Sequence, residues 1–238
     1  MFRVMATLPL FRPRRKQIEP FALPFYGMWD AVAAFAAEIR NSAFMIDMMQ
    51  RREARGGQGL MGALDCATLY ALTRWHRPSV VVETGGFVGL SAAFILKAMS
   101  DAKVAAPELY SIESSADCDL GALVPDDLRA NYIPVRAKVE EIIATNRLPG
   151  KIDMFLHESS HRYRHMKWEF RRFWARLRDG GLLVAHDVHM NAAFPEFVID
   201  TLKHDKATGA LDAARTTHHE WGRWGYIGFM IKKGETKT

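Results

Sequence analysis

The sequence predicts an α/β fold built on a doubly wound, mostly parallel sheet of seven strands, preceded by an N-terminal helical extension. Short apolar runs rich in β-branched residues alternate with longer segments whose apolar residues recur at helical spacing. The first of these runs ends in a glycine-rich turn that leads directly into a helical segment. Such strand-turn-helix units are typical of parallel sheets, whose ligands bind at the carboxyl ends of the strands.

The chain divides, by composition, into an N-terminal part up to residue 59 and a main domain from residue 60 to residue 238. Residues 1–24 carry prolines and arginines without a clear period, which predicts a solvated arm. Residues 28–49 have apolar side chains at near-helical spacing, which predicts one packing helix that is able to form a dimer surface. Residues 51–59 are charged and rich in glycine, as expected of a lid or linker.

The central feature of the sequence is the turn that follows the first strand. The β-branched strand ends at the acid Glu83, the turn contains Gly85, Gly86 and Gly89, and a helix begins near Ser91. Gly85 allows a sharp bend, and the other two glycines leave no side chain between the backbone and a ligand. The spacing is Glu-x-Gly-x-x-x-Gly, whereas dinucleotide sites have Gly-x-Gly-x-x-Gly. An acid at this position would repel a phosphate but suits an ammonium group or hydroxyls.

The other strands and helices follow from the same two periodicities. The first strand covers 79–83, and the later predicted strands are 109–113, 133–136, 152–158, 182–187, 213–217 and 226–231. The predicted helices of the main domain are 60–75, 91–99, 139–146, 163–177 and 193–204. Pro134 suits an edge strand because proline lacks the N–H that a central strand must donate. A tight turn is expected at 179–181, and the last two strands are expected to form a hairpin that turns at Gly222.

Four of the predicted strands end in an acid, and parallel strands bring these ends to one edge of the sheet. The four acids are Glu83, Glu113, Glu158 and Asp187. Glu113 follows the glycine turn by roughly 20 residues, where nucleoside sites place a carboxylate for the ribose hydroxyls. A carboxylate accepts hydrogen bonds from both hydroxyls of a cis-diol, so this residue type fits that position.

The turn at Glu83–Gly89 resembles the first motif of class I S-adenosylmethionine-dependent methyltransferases. The segments 152–163 and 177–188 are similar to the pattern D-x-x-F-x-D-x-x-H-x-Y … L-x-x-G-G-x-x-x-x-x-D of a small-molecule O-methyltransferase subgroup. The resemblance covers about residues 60–232, and the terminal hairpin resembles the reversed last strand of that family. It implies S-adenosylmethionine as cofactor and methyl transfer to a hydroxyl or carboxyl oxygen of a small molecule.

The resemblance also implies roles for single residues. By this resemblance Glu83, Gly85 and Gly89 would hold the methionine part and the turn, and Glu113 would hold the ribose. Further candidates for cofactor binding are Gly86, Ser91 and Glu158. Glu158 and Asp187 are candidates for catalytic roles because they stand where metal-dependent relatives place carboxylate ligands. His161 is the third catalytic candidate. Two carboxylates with waters suit Mg²⁺, which would lower the pKa of a substrate hydroxyl.

The sequence departs from the metal-dependent pattern at two positions. Glu158 stands where the pattern has aspartate, and Val188 stands where many relatives have a third oxygen ligand. Without a metal, His161 is the best candidate for the general base, because the pKa of histidine is ordinarily near neutral. The competing histidines are His157, His186 and His189.

Composition limits the other function classes. The net charge of +5 is small for a dedicated nucleic-acid binder. A nucleic-acid methyltransferase is the alternative that the basic charge favours. The end of the fourth strand argues against it, because the sequence there is His-Glu-Ser-Ser and not the Asn-Pro-Pro-aromatic pattern of amine-methylating enzymes. A non-catalytic S-adenosylmethionine-binding protein is the other alternative, and a nicotinamide dehydrogenase is the weakest. No apolar run is long enough for a transmembrane helix, and two cysteines are consistent with a reducing cytoplasm. A homodimer is expected.

Overall fold

The structure of the protein is a computed structural model that describes residues 28–207 and 220–232. The predicted arm 1–24 and the predicted strand 213–217 therefore lie outside the described residues. Within the two described ranges, no helix has both the length and the apolar character needed to cross a membrane.

Within the described residues, seven strands form one sheet in the order β3-β2-β1-β4-β5-β7-β6. They are β1 (Val80–Thr84), β2 (Glu108–Glu113), β3 (Tyr132–Arg136), β4 (Ile152–His157), β5 (Leu177–Ala185), β6 (Glu220–Trp224) and β7 (Ile227–Ile231). The first five strands pair in parallel, and β7 pairs antiparallel with both β5 and β6. The predicted fold class is confirmed, including the reversed last strand and the edge position of β3.

The chain leaves β1 toward β2 and β3 on one side and later returns to β4 on the other. This reversal of direction between β1 and β4 is a topological switch point, where the crossovers on the two sides diverge and leave a crevice. The crevice lies beyond the carboxyl ends of the strands, so the strand-end acids are close to it.

Helices cover both faces of the sheet. They are α1 (Met28–Arg40), α2 (Ala43–Ala54), α3 (Ala63–His76), α4 (Leu90–Asp101), α5 (Val139–Ala144), α6 (Tyr163–Arg176) and α7 (Ala193–Ala207). Alternate residues of β1 point to opposite faces: Val81 joins the core under α3 and α4, and Val82 joins the core under α6 and α7. The apolar face of α6 contributes Phe170 and Phe173, and Phe173 stacks on Phe155 at a ring distance of 3.9 Å.

Three local predictions were wrong. The single helix predicted over 28–49 is two helices, because Ser42 starts a new one: its Oγ accepts a hydrogen bond from the backbone N of Met45 at 3.1 Å. The turn predicted at 179–181 is an irregularity within β5, where the register against β4 shifts. The hairpin turns at Gly225–Tyr226, and Gly222 lies within β6.

The hydrophobic core extends across the predicted domain boundary. Val32 of α1 and Met48 of α2 belong to the same buried cluster as Leu69 of α3 and Phe94 of α4. The division between residues 59 and 60 stays a prediction.

Candidate functional site

A cavity of about 910 Å³ lies at the switch point, beyond the carboxyl ends of β1, β2, β4 and β5. Its wall includes Gly85 and Gly86 after β1, Glu113 at the end of β2, Glu158 after β4 and Asp187 after β5. Three of the four strand-end acids therefore share one cavity. Cavities of this size hold most small-molecule ligands and cofactors.

The loop between α2 and α3 forms another part of the wall, through residues 58–62. Arg52 holds this loop: its Nε donates to the carbonyl of Met61 at 2.8 Å, and its Nη2 donates to that of Leu60 at 3.0 Å. The predicted lid segment 51–59 is thus partly the end of α2 and partly a loop at the cavity.

Glu83 lies behind the cavity wall and does not line it. Its carboxylate is fully buried and accepts hydrogen bonds from the Oγ atoms of Ser91 at 2.8 Å and Ser111 at 2.6 Å. Burial raises the pKa of Glu83 to about 7, although the two hydroxyls act in the opposite direction. Since Ser91 does line the cavity, we expect Glu83 to act on a ligand through Ser91.

The glycines of the turn are required by the packing of the chain against itself. A Cβ atom on Gly85, where φ is +84°, would lie 2.3 Å from the backbone oxygen of Glu158. A Cβ on Gly86 would lie 2.0 Å from Ser111 Oγ, and a Cβ on Gly89 would lie 2.8 Å from the Cα atom of Gly121. Gly89 lies outside the cavity wall, so we expect it to support the turn and not to touch a ligand.

Glu113 connects the turn after β1 to the end of β2. Its Oε2 accepts a hydrogen bond from the backbone N of Phe87 at 3.2 Å, and its Oε1 accepts one from that of Ser115 at 2.7 Å. The carboxylate has further acceptor capacity on each oxygen. It lines the cavity and is therefore available to the hydroxyls of a ligand.

Acids and histidines gather where β4 and β5 end, and we call this group the imidazole–carboxylate cluster. Its members are Asp65, Glu158, His161, His186, Asp187 and His189. Five line the cavity; His189 lies at its edge, with its ring 4.2 Å from that of Tyr226.

His186 lies at the centre of the cluster, between three carboxylates. Its Nδ1 is 2.9 Å from Glu158 Oε2 and 3.7 Å from Asp187 Oδ2, and its Nε2 is 3.5 Å from Asp65 Oδ2. Burial alone would lower the pKa of His186, but Asp65 and Glu158 raise it to about 10. His186 is therefore an imidazolium at neutral pH and balances part of the negative charge.

His161 is in the opposite state. Burial, together with the nearby His157, lowers its pKa to about 4, although Asp187 opposes the shift from 3.7 Å. Its Nε2 is buried and has no hydrogen-bond partner in the described part of the chain. His161 is thus a neutral imidazole with an unsatisfied nitrogen at the cavity.

A second buried network surrounds Glu169 of α6. Its Oε2 accepts a hydrogen bond from Thr84 Oγ1 at 2.8 Å and lies 2.6 Å from His157 Nδ1. Its Oε1 accepts a hydrogen bond from Ser159 Oγ at 3.0 Å and lies 2.9 Å from His165 Nε2. Burial alone would raise the pKa of Glu169, but the two histidines hold it at about 2. His157, a candidate base in the sequence, is fully buried in this network.

Sequence reasoning missed Asp65 and Glu169. Glu169 has a readable signal, since it is an acid on the apolar face of α6, next to Phe170 and four residues after His165. Asp65 has no such signal, because its partners are distant in sequence: its Oδ1 accepts from the backbone N of Tyr226 at 3.1 Å.

The donors at the cluster do not fit the predicted Mg²⁺ site. Mg²⁺ takes oxygen ligands in near-octahedral geometry. Here the nearest neighbours of the Glu158 carboxylate and of Asp187 include the imidazole nitrogens of His186 and His161. The set is a mixture of nitrogen and oxygen atoms.

Residues 82–188 match a protein family described as a methyltransferase domain. No curated protein matches the chain. The solved structures that are similar include the O-methyltransferase from Bacillus cereus in complex with SAH, at 13% identity and a TM-score of 0.56, over 86% of this chain and 100% of that one.

Two further solved structures have the same fold. The SAH-bound methyltransferase PaMTH1 of Podospora anserina is 14% identical, with a TM-score of 0.57 over 89% of this chain and 98% of its own. The O-methyltransferase TomG from Streptomyces achromogenes, in complex with SAM, is 16% identical, with a TM-score of 0.55 over 82% of this chain and 91% of its own. Residues 82–188 thus match the methyltransferase-domain family, and the strand order with its reversed last strand belongs to a fold that this protein shares with solved methyltransferases.

Proposed function

We propose that the protein transfers a methyl group from S-adenosylmethionine to an oxygen atom of a small-molecule acceptor. The observation that carries this proposal is that one cavity brings Glu113 and the glycine turn together with the imidazole–carboxylate cluster. The first part suits a nucleoside, and the second suits proton removal from an acceptor. The O-methyltransferases of known structure with this fold support the same reaction.

The cofactor fits the residues of this cavity. Glu113 would accept hydrogen bonds from the ribose hydroxyls, and Ser91, backed by Glu83, would contact the methionine part. The acids at the cavity favour a ligand that carries a sulfonium and an ammonium group. When bound, S-adenosylmethionine supplies an electrophilic methyl group that needs an acceptor oxygen in line with it.

The protein's own task in this reaction is to receive the acceptor proton. His161 is neutral at neutral pH, and its Nε2 is free to take a proton from an acceptor hydroxyl. The resulting imidazolium would be stabilised by the Asp187 carboxylate 3.7 Å away. Glu158, paired with His186, would orient the acceptor by accepting a hydrogen bond.

Binding of the cofactor is the first test. We expect the purified protein to bind S-adenosylmethionine and S-adenosylhomocysteine in calorimetric titrations. Glu113→Ala should weaken both by about 10-fold or more, since a hydrogen bond to a charged group contributes about 1.5–3 kcal/mol. Glu108→Ala, at the opposite end of β2, is the control and should leave the affinity unchanged. The absence of binding by the unaltered protein would refute the proposed function.

The role of His161 has its own test, made on whichever acceptor of a hydroxyl and carboxyl panel gives S-adenosylhomocysteine. His161→Ala should lower kcat by about 10²-fold or more, as loss of a general base does, and leave the affinity for S-adenosylmethionine unchanged. His189→Ala, at the edge of the same cluster, should change kcat little. If His189→Ala caused the larger loss, the base would be His189.

We further propose that the acceptor is a small molecule and not a nucleic acid, and that the protein acts as a homodimer in the cytoplasm. The sequence His157–Ser160 at the end of β4 supports the first point, because it differs from the motif of amine-methylating enzymes. The exposed apolar side chains Ile46 and Leu64 would be covered in a dimer. Cys66 and Cys118 are free thiols, which suits a reducing compartment.

A further inference from the structure

We propose that Glu158, His161 and His186 form a binding site for a divalent transition-metal ion of the zinc, cobalt and nickel class. Each of the three side chains offers one ligand atom, and these atoms all lie within 4.8 Å of one another. The predicted Mg²⁺ site used two carboxylates, whereas this site uses one carboxylate and two imidazoles.

The ligand atoms are buried and lack hydrogen bonds. Glu158 Oε2, His161 Nε2 and both ring nitrogens of His186 have no hydrogen-bond partner in the described residues. Glu158 Oε2 does lie 2.9 Å from His186 Nδ1, which is an ion-pair distance without hydrogen-bond geometry. His186 is only 6% exposed. Buried polar atoms normally have partners, so a bound ion accounts for atoms that the protein leaves unsatisfied.

The surroundings of His186 also fit a metal ligand. A ligating histidine usually has its other ring nitrogen against a carboxylate, which fixes the orientation of the ring. Asp65 Oδ2 lies 3.5 Å from His186 Nε2, while Nδ1 faces Glu158. Asp187 lies 3.7 Å from both His161 and His186 and adds negative charge beside the site.

The donor set selects the class of metal. Imidazole suits zinc, copper, iron and nickel, whereas Mg²⁺ and Ca²⁺ prefer oxygen. Zinc bonds to nitrogen and oxygen are about 2 Å long, so the ion must draw the three atoms together. The side chain of His161 is 22% exposed, and we expect its ring to turn toward the ion. When the ion binds, it takes the place of a proton on His186, and this proton is released to solvent.

The site stands whether or not the proposed function is correct; only its consequence for catalysis rests on that function. A bound ion occupies the His161 nitrogen that would receive the acceptor proton. This nitrogen cannot hold the ion and the acceptor proton at the same time. The ion would therefore inhibit methyl transfer that depends on His161.

The test is a metal titration of tag-free full-length protein dialysed against a chelator. We expect Zn²⁺ to bind saturably with one ion per chain in calorimetry, Co²⁺ to give the visible absorption of a protein-bound ion, and excess Mg²⁺ not to compete. Asp65→Asn should weaken Zn²⁺ binding about 10–100-fold, as loss of a carboxylate behind a histidine ligand does. Titration of S-adenosylmethionine into the same metal-free sample reports separately on the proposed function.

Variants decide whether the ion binds at this site. His161→Ala and Glu158→Gln should each abolish saturable Zn²⁺ binding, with circular dichroism confirming that they fold. His204→Ala, which removes an exposed histidine of α7, is the matched control and should bind as the unaltered protein does. The proposal is overturned if Zn²⁺ does not saturate, if Mg²⁺ displaces it, or if both site variants retain full affinity.

Discussion

Replacing Glu169 by alanine is expected to lower the free energy of unfolding by about 3–5 kcal/mol, the usual cost of removing one partner of a buried ionic network. Glu169 is fully buried, and its two oxygens contact His157, His165, Thr84 and Ser159. Without the carboxylate, two imidazoles and two hydroxyls lose their acceptor inside the protein. His157 and Thr84 are buried, so solvent cannot replace the lost acceptor at these two side chains.

The effect of Glu169 should depend on pH in a defined direction. The folded protein holds the pKa of Glu169 at about 2, below the value of about 4.3 in an unfolded chain. The stabilisation is therefore complete above about pH 4.3 and is lost as the pH falls through about 2. The difference between the unaltered protein and Glu169→Ala should shrink over that interval.

Urea denaturation at several pH values measures this difference. Glu141→Ala, at an exposed position of α5, is the control and should change the free energy of unfolding by less than about 0.5 kcal/mol. A Glu169→Ala protein as stable as the control at pH 7 would show that the network does not support the fold.

The second large effect is expected at Gly85. Alanine there should cost about 3 kcal/mol or more, because backbone strain and overpacking add. The φ angle is +84°, and the new Cβ would lie 2.3 Å and 2.5 Å from the backbone oxygen and carbon of Glu158. Backbone atoms cannot rotate away, so the end of β4 must move. Since Glu158 belongs to the cavity wall, the affinity for S-adenosylmethionine should fall as well.

Gly56 provides a closely matched control for Gly85. Its φ angle is also +84°, but a Cβ there would meet nothing within 4 Å. Gly56→Ala should therefore show the strain alone, about 1–2 kcal/mol, and comparison of the two variants in thermal and urea denaturation isolates the contribution of the clash. Equal losses would mean that the contact with Glu158 relaxes without cost.

Most of the fold is predictable from the sequence because it depends on local patterns. The alternation of strands and helices, the glycine turn and the acids at the strand ends are each written in a few consecutive residues. The errors also have local causes. Ser42 is an N-cap residue, but it lies in a segment whose apolar residues keep helical spacing on both sides of it. Gly222 lies within β6, although glycine usually marks a turn.

The site was only partly predictable, because its energetics depend on contacts between distant segments. The sequence shows that Glu83 stands at a strand end. It does not show that Ser91 and Ser111 bind the Glu83 carboxylate behind the cavity wall. It offers four histidines near two strand ends, but it does not reveal that His161 and His186 have opposite charge states. Those follow from burial and from Asp65, which reaches His186 across more than a hundred residues.

The α2–α3 loop that Arg52 holds against the cavity has an evolutionary consequence. The loop precedes the matched segment 82–188, yet it forms part of the chamber in which an acceptor would have to fit. Insertions or exchanges there can alter substrate range while the glycine turn and Glu113 stay as they are. Descendants of one ancestral gene could thus diverge in specificity by remodelling this short surface segment alone.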